Sequence, residues 1–273
     1  MNKTIGFIGC GNMAQAIIGG IITSNFISKE NVIASNPSKN KLDICRDKYG
    51  IEIYPGDNIS VAKKSDILVL AVKPHFYSDV IKEIKDYIKE DVLIVTIAAG
   101  VSIDFVEKNF FSNIKVIRTM PNTAALVNES ITLLCKNSAV SHDEFALITD
   151  MFNSIGKTEI IPEAMIDKTL AIGGSSPALV YMFIEAMADG AVLQGVPRDK
   201  AYKIAAQAVL GSAKMVLETN LHPGALKDMV CSPGGTTIEA VYTLEKNNFR
   251  GSVIEAVDSC TKKAIKMNSQ NSK

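Results

Sequence analysis

Between His222 and Glu245 the chain reads HPGALKDMVCSPGGTTIEAVYTLE, a stretch whose residue types can hold a small anion. Ser232, Pro233, Gly234 and Gly235 cannot continue a helix comfortably, so the backbone turns there. Thr236, Thr237, Ile238 and Glu239 then read as a Thr-x-x-Glu capping box that opens a new helix. A helix start offers unpaired N–H groups and a partial positive charge, which suit a carboxylate or a phosphate. The two glycines before it let a ligand approach the backbone closely. Taken alone, SPGG fits an ordinary capped joint between two helices equally well.

A second chemical pattern lies near the N-terminus. Gly9, Gly11 and Ala14 spell G-x-G-x-x-A between an apolar run at residues 4–8 and a helical segment from about Met13. In that setting the loop residues Ile8, Gly9, Cys10, Gly11, Asn12 and Met13 are expected to wrap a dinucleotide pyrophosphate. An NAD enzyme usually places Asp or Glu about 20 residues further on, to hold the ribose hydroxyls. Here VIASNPSKNK carries no acid between Val32 and Lys41. Asn36, Ser38 and Lys39 are instead suited to a 2′-phosphate, which favours NADPH and leaves NADH open. A solvated polar turn fits the same residues.

Acid–base candidates are scarce. His75 adjoins Pro74 in a loop, His142 precedes an acidic helix start, and His222 precedes Pro223 as a helix cap. No two share metal-ligand spacing on one element, so no metal site is expected. A hydride donor beside an anion-binding helix start, without a general base, fits imine reduction better than alcohol oxidation. An alcohol needs a group to take its proton, whereas a protonated iminium already carries its electrophilic charge.

These groups have to be positioned by two halves with different patterning. Up to Ile161, short apolar runs at residues 4–8, 32–35, 67–71, 93–97 and 115–118 alternate with helical segments at 13–24, 76–88 and 102–110. Weaker runs lie at 131–134 and 158–161. Runs such as ILVLA, apolar at successive positions, fit strands covered on both faces, so the spacing predicts a Rossmann-type, doubly wound α/β domain over residues 1–161 with a parallel sheet. Residues 71–74 (Ala71, Val72, Lys73, Pro74) and 98–100 (Ala98, Ala99, Gly100) follow strands, where such sheets bind ligands. From Pro162 to Lys273 strand signals stop, and an all-α domain is expected, with helices at 164–172, 177–194, 197–219, 223–230, 236–246 and 252–267. Within 178–193 only Glu185 and Asp189 are charged. Two acids near the middle argue against a membrane span, and a helix apolar on most sides needs burial on most sides. About 110 residues hardly supply that burial, so these helices are expected to form a dimer core.

Bulk composition agrees with a globular enzyme. The 273 residues balance 29 basic against 29 acidic side chains, so nothing marks nucleic-acid or membrane-surface partners. Five cysteines, odd in number and without Cys-x-x-Cys, suggest a reducing, cytoplasmic setting. The chain enters a strand almost at once, so no signal peptide is expected.

The segment at Pro223, Val230, Ser232, Pro233, Gly234, Gly235, Thr237, Leu244 and Glu245 resembles the signature of the pyrroline-5-carboxylate reductase family. The glycine loop and Met120-Pro121-Asn122-Thr123 add to the resemblance, which covers essentially the whole chain. It implies NAD(P)H-dependent reduction of 1-pyrroline-5-carboxylate to L-proline. It further implies that Asn58, Ala71, Val72, Lys73, Pro74, Ala98, Ala99 and Met120 line the cofactor site. Thr236 and Thr237 N–H groups would hold the substrate carboxylate, the Thr237 hydroxyl would bond the ring nitrogen as the catalytic group, and Ser232 and Gly235 would complete the pocket. Helical domains of this family intertwine into homodimers, and rings of dimers occur. The chain departs from the pattern at Gly173–Pro177, where a Ser-Gly-Ser-Gly-Pro turn is usual, and at Leu179 and Met229. Two rivals remain. A 3-hydroxyacid dehydrogenase-like enzyme would want a lysine soon after Gly173-Gly174, yet none stands between Lys168 and Lys200. A non-catalytic dinucleotide-binding regulator would keep the fold alone.

Overall fold

The structure, a computed structural model, describes residues 3–111 and 113–271, with side chains up to 266. The outer ends of the two expected domains, 1–2 and 272–273, lie outside these residues. Contacts divide the chain into one unit of Met1–Ser175 with Cys260–Lys273, and another of Ser176–Ser259.

The first unit is an eight-stranded sheet ordered β3-β2-β1-β4-β5-β6-β7-β8. Its strands are β1 Ile5–Ile8, β2 Val32–Asn36, β3 Glu52–Pro55, β4 Ile67–Leu70, β5 Leu93–Thr96, β6 Lys115–Met120, β7 Ser130–Lys136 and β8 Gly156–Ile160. The continuous apolar runs arise because successive side chains enter opposite cores. Ile67 and Val69 join one cluster with Phe7, Ile17 and Phe152, while Leu68 and Leu70 join the other with Tyr77, Ile81 and Val106. Helices α1 Asn12–Thr23, α2 Lys39–Tyr49, α3 Asn58–Lys64, α4 Tyr77–Ile84, α5 Ile103–Asn109 and α6 His142–Asn153 cover the two faces.

Three features depart from the sequence expectation. The sheet is not wholly parallel: β7 pairs antiparallel with β6, Met120 opposite Leu133. Residues 121–129 between them are too few for a helical crossover, so the chain folds straight back. Strand β3 went unread because it is a half-exposed edge strand ending in Pro55. Helices α2 and α3 were also missed, and of α6 only the acidic start after His142 was read; α2, for example, buries only Leu42 and Cys45, too faint an apolar stripe to register. Arg118 on β6 is 1% exposed and pairs with Glu163 (3.2 Å) and Asp167 (2.5 Å) of α7 Glu163–Leu170, fastening that helix to the sheet.

The second unit holds α8 Ser176–Leu193, α9 Arg198–Thr219, α10 Pro223–Met229, α11 Thr236–Lys246 and the first part of α12 Phe249–Asn271. Its buried apolar side chains are the alanines Ala188, Ala201 and Ala205, among the described residues. Meanwhile Met182, Ile204, Leu217 and Ile254 are each about two-thirds or more exposed. By length and composition the helical run Glu163–Leu193 is apolar enough to cross a membrane, but Glu185 and Asp189 interrupt it and Asp189 pairs with Arg198.

Candidate functional site

The order of the sheet creates a switch point. From β1 the chain winds outward through β2 and β3, then returns to β4 on the other side of β1. The loops leaving β1 and β4 therefore diverge, and a cleft opens between them. It has a volume of about 580 Å³, and its walls include Gly9, Gly11, Asn36, Ser38, Asn58, Ala71, Val72 and Lys73.

The two glycines of the loop serve differently, Gly9 through backbone geometry and Gly11 through the space it leaves. Gly9 has φ +97°, and a Cβ there would stand 2.7 Å from the Ala71 carbonyl carbon. A Cβ on Gly11 would meet no protein atom within 4 Å, so the space it leaves belongs to the cleft. Gly11 is also the cap residue of α1 and supplies no side-chain cap, which leaves the first N–H groups of that helix open. Open donors, a positive helix end and an uncrowded backbone fit a dinucleotide pyrophosphate.

Asn36 acts as a strap. Its Oδ1 accepts from Cys10 N–H at 3.0 Å, and its Nδ2 donates to the Ser38 carbonyl at 3.0 Å. The amide thus ties the glycine loop to the start of α2. Beyond it, Ser35 donates to Asn58 Oδ1 (2.7 Å), and Asn58 Nδ2 donates to Glu83 (2.8 Å). At the ends of β4 and β5, the buried Tyr77 hydroxyl donates to the Leu70 carbonyl (2.6 Å) and meets Thr96 Oγ1 (2.8 Å). Burial pushes that phenol upward, so it stays neutral and clamps the two strands.

The remaining expected cofactor residues fall in different places. Ile8 is buried at the end of β1, and Asn12 and Met13 begin α1. The Cys10 side chain is fully buried and turned toward Cys45, so Cys10 offers the cleft backbone alone. Lys39 is the first residue of α2 but stands off the cleft wall, which Lys41 joins instead. Pro74, Ala98, Ala99 and Met120 also lie off that wall, with Ala98 and Met120 nearly buried. His75, Phe76, Val80 and Glu83 line it without having been read from the sequence. Val80 and Glu83 come from one face of α4, and His75 and Phe76 from the single turn Pro74–Phe76 before it, a grouping that emerges once α4 is set against the cleft.

Near Met120, Asn122 spans two segments. Its Oδ1 accepts from Ala124 N–H (3.0 Å), and its Nδ2 donates to the Gly173 carbonyl (2.8 Å). Gly173 lies in a π-helical turn over Ala171–Ser175, at the stretch that departs from the family pattern. Such turns widen a helix by one residue and recur at functional sites.

In the second unit, α11 begins at Thr236 with Gly235 as its cap, and no side-chain cap forms. The expected Thr-x-x-Glu capping box is therefore absent. Thr236 sits one residue too far into the helix for its hydroxyl to bend back onto the next turn's donors. A true capping box occurs at Ser141 and Glu144, opening α6. At Gly235 a Cβ would stand 2.3 Å from Ser232 Oγ, so glycine lets the serine hydroxyl fold over the helix start. A groove of about 370 Å³ is lined by Gly234, Gly235, Thr236, Ile238 and Glu239. Thr237 is half-buried and outside that lining. The shallow groove marks the solvent side of the helix start, and the open N–H groups are its chemically relevant feature. His222 caps α10 as expected, its Nδ1 accepting from Gly224 N–H at 3.0 Å. No cluster of three metal-ligating side chains occurs among the described residues.

A family model described as pyrroline-5-carboxylate reductase dimerisation matches residues 163–267, and one described as NADP oxidoreductase, coenzyme F420-dependent, matches residues 4–100. The chain is 50% identical over 267 residues to the pyrroline-5-carboxylate reductase of Escherichia coli (strain K12), covering 98% of this chain and 99% of that one. To the Methanosarcina acetivorans enzyme of the same name it is 40% identical over 256 residues, 94% of each chain. Among solved structures, Plasmodium falciparum pyrroline carboxylate reductase with NADP bound matches with a TM-score of 0.90 at 35% identity, covering 98% of both chains.

Proposed function

The chain belongs to the pyrroline-5-carboxylate reductase family, and on that premise we propose how its residues divide the NAD(P)H-dependent reduction of 1-pyrroline-5-carboxylate to L-proline. The observation that carries this reading is the start of α11, glycine-capped with its first donors open. The N–H groups of Thr236 and Thr237 hold the substrate carboxylate, helped by the helix dipole. The Thr237 hydroxyl, which makes no side-chain hydrogen bond among the described residues, bonds the ring nitrogen and is the catalytic group. Ser232 and Gly235 close the pocket. Bound in the cleft of the first unit, NAD(P)H supplies the hydride. Gly9, Gly11 and the open start of α1 hold its pyrophosphate, while Asn36, Ser38, Asn58, Ala71, Val72 and Lys73 shape the adenosine side. Rate enhancement comes from orientation and from fixed dipoles, since the iminium needs no base.

We assign NADPH as the preferred cofactor because no carboxylate stands at the end of β2 and Lys41 lines the cleft near Ser38. Oligomerisation runs through the C-terminal domain, and we assign a homodimer there, with a ring of dimers as its higher assembly. The functional division follows the end of β8, giving a dinucleotide domain over 1–161 and a substrate and dimer domain over 162–273. Five free cysteines support a cytosolic location.

The carboxylate assignment is tested with 1-pyrroline, which has the ring imine and lacks the carboxylate. Its KM should exceed that of pyrroline-5-carboxylate by on the order of a hundredfold, the worth of about two charge-assisted hydrogen bonds. The KM for NADPH should not change. Equal KM values for the two imines would remove the carboxylate from the start of α11.

A further inference from the structure

Cys10 and Cys45 lie 35 positions apart in the chain, yet their sulfurs stand 3.2 Å apart. Both side chains are 0% exposed, and neither has a part in the reduction described above. Cys10 belongs to the glycine loop, between Gly9 and Gly11 on the cleft wall, and Cys45 belongs to α2. We propose that Cys10 and Cys45 form a reversible dithiol–disulfide site, oxidised by hydroperoxides, that controls cofactor binding at the glycine loop. The control depends on that loop holding the dinucleotide; the disulfide itself does not.

The chemistry follows from the pair. The hydrogen bond from Cys10 pushes the Cys45 thiol down, helped by the charge of Lys48, while the Cys10 thiol is pushed up by its partner and by burial. Of the two, Cys45 gives up its proton more readily and is the nucleophile. Its sulfur attacks one peroxide oxygen and the O–O bond breaks; Cys45 becomes a sulfenic acid, and the other oxygen takes the proton that the Cys45 thiol gave up and leaves as water or, from an organic hydroperoxide, as the alcohol. The Cys10 sulfur then attacks the Cys45 sulfur. The S–S bond forms, the S–O bond breaks, and the departing hydroxide takes the Cys10 proton. Two thiols and one hydroperoxide become one disulfide, one water and the reduced alcohol or second water.

Access comes through α2. That helix buries only Leu42 and Cys45, and Ile44 beside them is 52% exposed. A helix anchored by two buried side chains and the partly buried Tyr49 opens locally below the cost of global unfolding. Closure of the bond draws the sulfurs from 3.2 Å to about 2.05 Å, a movement of roughly 1.2 Å. The loop cannot absorb it freely: Cys10 N–H is held by Asn36, and Gly9 abuts the backbone of Ala71. A misplacement of about 1 Å costs on the order of a hundredfold in rate, and the same shift of the donors that hold the pyrophosphate should lower NADPH affinity by about tenfold or more.

The test treats the whole protein with hydrogen peroxide, then measures intact mass, maps linked peptides and titrates NADPH. The parent should lose 2 Da, roughly the mass of two hydrogens, yield a Cys10–Cys45 peptide pair, bind NADPH at least about tenfold more weakly, and recover with dithiothreitol. Cys45→Ser, and Cys45→Ala if the serine variant folds poorly, should show neither the mass loss nor the weakening. Bound NADPH should slow the oxidation. Intact thiols at Cys10 and Cys45 after peroxide would overturn the site. A mapped disulfide with unchanged NADPH affinity would overturn the control. Reduced parent that binds no NADPH would instead count against the cofactor cleft, with the peptide map still deciding the disulfide.

Discussion

At the scale of single residues, Thr237 bears the most specific assignment. Thr237→Val keeps the backbone N–H and the shape, and removes only the hydroxyl. A hydrogen bond to a charged group contributes roughly 1.5–3 kcal/mol, so kcat should fall by about ten- to a few hundredfold, with the KM for NADPH unaltered. Thr236→Ala should be much milder, because its part is backbone. Parent-like turnover in Thr237→Val would take the hydroxyl out of the reaction. The phosphate-side lysine is a second residue-scale question. Lys39 is the basic residue that the chain pattern points to, but Lys41 is the one on the cleft wall. Lys41→Ala should raise the KM for NADPH about five- to tenfold and leave NADH nearly unchanged, the effect of one exposed charge contact. Lys39→Ala should do less. Initial rates with both cofactors decide it, and an equal rise for NADPH and NADH in Lys41→Ala would place that lysine elsewhere. The His222 cap and the glycine loop were readable because their neighbours in the chain define their settings, whereas the place of His75 on the cleft wall was not. The choice between two lysines two positions apart was not, since it depends on the rotation of α2.

Elements are held by a few charged contacts. Glu144 closes the capping box of α6 and pairs with Lys115 at the start of β6 (2.8 Å). Burial alone would raise its carboxyl, but the Lys115 ammonium and the Ser141 donors outweigh burial and bring it from 4.5 down to about 2. A depressed carboxylate contributes stability that is fully present above its unfolded value and disappears as pH falls through the folded one. The contribution of Glu144 should therefore be constant above pH 4.5 and vanish near pH 2. Glu144→Gln retains the box and loses the ion pair. Its urea midpoint should lie below that of the parent at pH 7, and the gap should shrink steadily as the pH is lowered from about 5. A gap independent of pH would mean that Lys115 contributes nothing. The pair of α7 carboxylates on Arg118 is more costly to disturb. Asp167→Asn leaves a buried guanidinium short of one counter-charge and should destabilise the fold by about 3 kcal/mol, read as a lower denaturation midpoint.

For the molecule as a whole, the second unit poses a burial problem. A pair of long helices that buries alanines while Met182 is 67% and Leu217 is 76% exposed has no core sufficient for itself. Because Met182 is open in the single chain, Met182→Glu should leave the protomer folded and abolish self-association, the charge being costly only where a second copy covers it. Sedimentation and circular dichroism separate the two effects. A variant that keeps the parent mass would show that the α8 face is not the contact.

Several features were settled by the sequence alone because their causes are local. Apolar runs of strand length, a glycine loop between strand and helix, and prolines at helix starts all depend on neighbours a few positions away. They were enough for the doubly wound domain, the helical domain and the start of α11 at Thr236. The tertiary structure decided what depends on elements far apart in the chain. The short return at residues 121–129 turns β7 against β6. Asn36, on the cleft wall, also spends its amide strapping the glycine loop to α2. Cys10 and Cys45, inconspicuous in a chain without Cys-x-x-Cys, meet because β1 and β2 pair in parallel and bring the loop after one beside the helix after the other. Local preferences set which segments become strands and helices, whereas packing alone sets which side chains of those segments meet.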